Sequence, residues 1–105
     1  MSAQVAKDLR AAAALLREKG WTQGQLARDG LGVGVDLFST RACSFCMSGA
    51  LERVSGGWYN TRESARVLGA VLPTPISEWN DAPGRTADEV IAALEQAATL
   101  AEAQS

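Results

Sequence analysis

Apolar residues recur at helical spacing over residues 2–19. Val5, Leu9, Ala12 and Leu16 fall on one stripe, widened by Ala6 and Ala13. Ser2 stands where an N-cap belongs, and Lys19 sits in the last turn. Gly20 occupies the left-handed position just past the helix end. Trp21 is then the apolar residue expected to fold back on that turn. From Thr22 the period changes: Leu26, then Val33, Val35 and Leu37, alternate around a glycine-rich turn and predict a short two-stranded β-hairpin.

Helical spacing returns with a second helix, capped by Ser39 or Thr40, running to about Val54 and stopped at Ser55-Gly56-Gly57. Residues 58–60 read as loop, and Asn60 with Glu63 forms a capping-box pair for a third helix ending near Leu72. Its apolar face is Ala65, Leu68, Val71 and Leu72. Pro73 and Pro75 enforce a stop and a bend before one short helical turn at 76–80. Thr86 and Glu89 form another capping box, opening a last helix with Val90, Leu94, Ala97 and Ala101 on one stripe. The fold predicted is mainly α. It is a small single-domain bundle over residues 1–105, of about four helices with the second and last central, plus a short hairpin between the first two.

Composition narrows the function classes. With 47% hydrophobic and 21% charged residues, the chain matches an ordinary soluble domain. Its net charge of −2 is unevenly spread: Arg85 is the only basic residue after position 66, against six carboxylates. That acidic third argues against an extended nucleic-acid footprint, because phosphate binding needs clustered Lys and Arg. The longest apolar run, residues 11–16, is far short of a membrane span, and no basic stretch leads into an apolar leader. A cytoplasmic location is the resulting expectation.

Several clusters resemble chemistry and are weighed against structural roles. Cys43 and Cys46, spaced C-x-x-C, are the only cysteines, and the chain has no histidine. A structural metal needs four ligands, so no metal and no cofactor is expected. A thiol oxidoreductase using Cys43 and Cys46 remains an alternative, since both are expected in the first two turns of a helix, where the dipole lowers a thiol pKa. Against it stands a packing role: Cys46, Gly49 and Ala50 make a small-residue face that lets another helix approach closely. Gly30, Gly32 and Gly34 mimic a phosphate loop but lack its strand and helix flanks. Residues 61–81 offer a helix-turn-helix alternative for DNA binding. Its reading segment would present Ser77, Glu78, Asn80 and Asp81 to phosphates, two carboxylates among them. Glu78, Asp81 and Arg85 are the one grouping suited to acid–base work. The stronger reading makes Trp79, Asn80, Asp81, Arg85, Thr86 and Glu89 a structural latch: turn residues, a brace, a cap and an aromatic anchor.

The stretches "GWTQGQLARD", "CSFCMSGAL" and "WNDAPGRTADEVIAAL" together resemble an uncharacterised family of small bacterial and phage proteins, a domain of unknown function. Its members show a Trp after the first helix, a C-x-x-G-A-L element and a W-N-D…R-T…E-V close. Here these are Trp21, then Cys46 to Leu51, then Trp79-Asn80-Asp81, Arg85-Thr86 and Glu89-Val90. Cys43 lies outside the pattern, and the resemblance implies no catalytic residues. The expected function is a non-enzymatic accessory protein of phage or mobile-element origin. It would act by binding a host protein, inhibition of a host or defence factor being one form of this. The protein is expected as a monomer or homodimer, with nucleic acid and membrane unlikely partners.

Overall fold

The computed structural model describes residues 2–104. The side chain of Ser2, and with it the cap expected there, lies outside the described residues. Helices α1 (Ser2–Glu18) and α5 (Ala87–Ala103) form the central pair. The predicted stripes are the ones buried: Val5, Leu9, Ala12 and Leu16 on α1, and Val90, Leu94, Ala97 and Ala101 on α5. Alanines on both faces let the two helices pack closely, since short side chains leave shallow ridges. At the rim Arg10 pairs with Glu102 at 2.6 Å and Arg17 with Glu95 at 2.8 Å, aligning the helices along their length. The last helix is central as expected, but its main partner is the first helix. The second packs on the side of α1.

Three shorter helices close the core: α2 (Met47–Ser55), α3 (Trp58–Val71) and α4 (Ile76–Asn80). Gly56 ends α2 at φ 90°, the left-handed stop its sequence announced. The start of α2 is a correction. No helix begins at Ser39 or Thr40, because the backbone there is committed to a sheet. Cys43 N–H donates to Arg28 O at 2.7 Å, Phe45 N–H to Gly20 O at 3.1 Å and Cys46 N–H to Leu26 O at 3.2 Å. α3 differs too. It starts at Trp58 behind Gly57 with no side-chain cap, so the Asn60–Glu63 box does not form and Glu63 pairs with Arg66 instead.

The hairpin joins β1 (Ala27–Arg28) to β2 (Ser44–Phe45), antiparallel, with Ala27 opposite Phe45 and Arg28 opposite Ser44. It lies between the first and second helices, as predicted, but with a different second strand. The Val33–Leu37 segment adds only a single bridge, Arg28 to Gly34, on the outer side of β1. On the inner side Trp21 bridges Phe45 in parallel. The result is a miniature sheet ordered Gly34, β1, β2, Trp21. Its β2 packs beside α2, and Phe45 is fully buried.

Candidate functional site

Where the sheet meets α4, one polar side chain organises three segments. Asn80 is 1% exposed. Its Oδ1 accepts from Trp21 Nε1 at 2.7 Å and from the Met47 N–H at 3.0 Å. Its Nδ2 donates to Thr22 O at 3.2 Å and to Asp81 Oδ1 at 2.9 Å. An amide offers two donors and an acceptor with two lone pairs, and all are used here. Around it Gln23 Nε2 donates to the carbonyls of Asn80 at 2.9 Å and Ala82 at 3.1 Å, and Gly24 N–H donates to Asp81 Oδ1 at 3.0 Å. The segment after α1, the N-terminus of α2 and the end of α4 are thereby clasped together.

The rest of the predicted latch continues from this clasp. Arg85 Nε donates to Trp79 O at 2.9 Å, and its guanidinium lies 3.7 Å from the centroid of the Trp79 ring. Its ion pair with Glu89 is longer, at 3.8 Å. Thr86 and Glu89 form the full capping box: Thr86 Oγ1 accepts from Glu89 N–H at 3.2 Å, and Glu89 Oε1 from Thr86 N–H at 2.9 Å. Trp79 is half-buried, packed on the core edge between α3 and α5. Glu78 points to solvent and Asp81 is engaged by the clasp, so the cluster holds no carboxylate free beside a partner acid.

The two cysteines separate. Cys43 is exposed and Cys46 buried, because they lie on extended chain rather than in a helix. Over three extended residues Cα atoms stand about 10 Å apart, beyond the roughly 7 Å that a disulfide spans. Cys46 is the N-cap of α2: its Sγ accepts from the Gly49 N–H at 3.2 Å. Burial pushes its thiol pKa up, outweighing the backbone hydrogen bonds that pull it down. A thiol so held stays protonated at neutral pH, unlike a redox nucleophile. The small-residue face is also corrected in its partner. A Cβ on Gly49 would lie 2.1 Å from Leu26 O, so glycine is required there by the sheet backbone and not by another helix.

Residues 1–100 match the family of unknown function DUF6197. The chain belongs to this family. The DUF6197 match takes in every residue of the clasp and latch, and Cys46 with Gly49. No curated protein and no solved structure matches the chain. Among the described residues no group of three or more His, Cys, Asp or Glu could hold a metal ion, and no helix is long and apolar enough to cross a membrane.

Three features of this DUF6197 chain are not legible in its local spacing. Trp21 reads as a packing residue, yet its indole N–H is a clasp donor. Arg28 ties down both loops, donating to Thr22 Oγ1 at 2.8 Å, Gln23 O at 2.8 Å and Gly32 O at 2.9 Å. The third is Trp58 and Tyr59. Their sequence reads as loop, but they open α3 and stand 68% and 76% exposed, with Arg62 set 5.2 Å from the centroid of the Tyr59 ring. Beside them a groove runs between α2, α3 and α4, lined by Leu51, Thr61, Ala65 and Ile76 with Glu52 and Arg62 at its rim.

Proposed function

We propose that the protein is a non-enzymatic accessory protein that acts by binding another protein through the Trp58–Tyr59–Arg62 corner and its adjoining groove. The observation that carries this reading is the exposure of two adjacent aromatic side chains, Trp58 and Tyr59, at the start of a helix whose buried face is Thr61, Ser64 and Leu68. Trp, Tyr and Arg are the residues that dominate binding energy at protein interfaces, and they do so beside apolar pockets that exclude water. Arg62 over Tyr59 adds a stacked, partly prepared cation of the kind interfaces use. The groove floor of Leu51, Ala65 and Ile76 offers an anchor pocket for one apolar side chain of a partner.

The resemblance to small bacterial and phage proteins extends the proposal to its setting. The partner is a host protein and the chain a phage or mobile-element product, inhibition of a host or defence factor being one outcome of such binding. The test is an affinity capture from bacterial lysate with the wild-type chain and with Trp58→Ala, Tyr59→Ala and Glu78→Ala, each first shown to keep its melting temperature. A partner captured by wild type and by Glu78→Ala but lost with both aromatic variants supports the reading. A partner retained by the aromatic variants excludes this corner.

A further inference from the structure

We propose that the protein pairs with a second copy of itself through the open edge of its miniature sheet at residues 33–35. The inner edge of that sheet is closed, because Trp21 lies there and is held by Asn80. The outer edge is not. Val33 O accepts from Asp29 N–H at 2.8 Å and Val35 N–H donates to Ala27 O at 3.1 Å, so both groups point inward to β1. Alternation along an extended chain then turns the N–H and C=O of Gly34 outward, and neither has a partner among the described residues.

Natural sheets guard such edges with charge, proline or a bulge. Residues 30–35, GLGVGV, carry no charge and no proline. The flanking carboxylates cap local turns: Asp29 Oδ1 accepts from the N–H groups of Leu31 and Val33, each at 2.9 Å, and Asp36 Oδ1 from Phe38 N–H at 2.8 Å. Those bonds to Val33 and Leu31 hold the Asp29 carboxyl below its ordinary pKa.

Self-pairing places each residue opposite a fixed mate across a two-fold axis. A charge on this edge would come close to its own copy, and residues 33–35 carry none. With Gly34 on the axis, each copy donates its Gly34 N–H to the other's Gly34 O. Val33 of one chain then lies opposite Val35 of the other, a β-branched cross-strand pair formed twice. Leu31, 91% exposed, flanks the joint. Glycine leaves the edge flush, with the Gln25 side chain lying over its face, where a Cβ would come within 2.5 Å of Gln25 Oε1. An edge this short buries less than the roughly 1,200 Å² at the lower limit of stable interfaces, so the pairing is weak and concentration-dependent. It is separate from the Trp58–Tyr59 corner and stands or falls without it.

Sedimentation velocity from about 10 μM to about 1 mM, with amide exchange of Gly34 followed by NMR over the same range, tests this. The expected result is a rise in mass from one chain to two, slower Gly34 exchange as the dimer fills, and at least about tenfold weaker pairing in Val33→Lys. Leu31→Lys serves as the second variant should Val33→Lys lose its fold. A chain that stays monomeric throughout leaves the edge to a strand of a different protein and overturns the proposal. So does a dimer that survives the lysine variants with Gly34 exchange unchanged, or growth beyond two chains.

Discussion

Asn80 and the Trp58–Tyr59 pair invert the usual placement of polar and apolar side chains, in opposite directions. Asn80 is polar and 1% exposed; Trp58 and Tyr59 are aromatic and 68% and 76% exposed. Burying an amide costs several kcal/mol unless each of its donors and acceptors is matched, and around Asn80 all are. The clasp is therefore a device of the fold: it fixes how the sheet, α2 and α4 meet. Exposing two aromatic rings forfeits apolar burial that the fold does not recover elsewhere, and it is on this ground that the proposal assigns them to a partner. An inversion that is fully satisfied internally is structural; one left unsatisfied points outward.

The sharpest way to break the comparison is Asn80→Leu. It strands the Trp21 indole N–H, the Met47 N–H and the Thr22 carbonyl, and should cost about 3–5 kcal/mol, read from the urea midpoint at unchanged m-value. Trp79→Ala, at a half-buried site, should cost about 2 kcal/mol, less than a core aromatic. If Asn80→Leu were the milder of the two, the clasp would be an incidental network and Trp79 the anchor.

Ser64 tests the rule with the opposite sign. It is 1% exposed, and among the described residues its Oγ is the single buried side-chain N or O atom without a hydrogen-bond partner. Ser64→Ala removes an unmet polar group and improves helix propensity, so it should stabilise by about 1 kcal/mol, seen as a higher melting temperature. Destabilisation instead would mean that the hydroxyl has a partner in solution.

The smallest effect is expected at Cys46. As an N-cap acceptor it is replaceable by serine, the more usual cap, so Cys46→Ser should change stability by less than about 1 kcal/mol. A purely apolar packing role would make the same change costly. The wild-type thiol carries its own signature. Its pKa is raised in the folded state, so above the ordinary thiol range the unfolded chain loses its proton first. Stability should therefore hold below about pH 8.5 and fall as pH climbs toward the raised value, with the slope reduced in Cys46→Ser.

Much of the fold was legible along the chain. The stripes of α1 and α5, the Gly56 stop and the Thr86–Glu89 box each depend on residues within a turn or two of one another. Short-range spacing encodes them directly. The latch residues were legible too, as turn and cap formers. The second strand and the start of α2 were not. Residues 41–51 carry a helix-like spacing of small and apolar residues, and nothing local in them announces that Arg28, Gly20 and Leu26 will claim their backbone N–H groups. The Asn60–Glu63 box failed for a related reason: α3 begins three residues earlier, which puts Asn60 inside the first turn.

The sequence by itself determined which segments are helical, where most of them stop and which faces are apolar, because those follow from local sterics and from periodicity. Only the tertiary structure decided which polar groups become buried and who satisfies them. Trp21 and Asn80 are 59 residues apart, and their hydrogen bond exists only once α1, α2 and α4 have converged. The same convergence sets Gly49 against the backbone of Leu26, sends Cys43 and Cys46 to different environments, and leaves Trp58, Tyr59 and the Gly34 edge facing water. Burial is a property of the assembled core, and a side chain's chemistry follows from its burial.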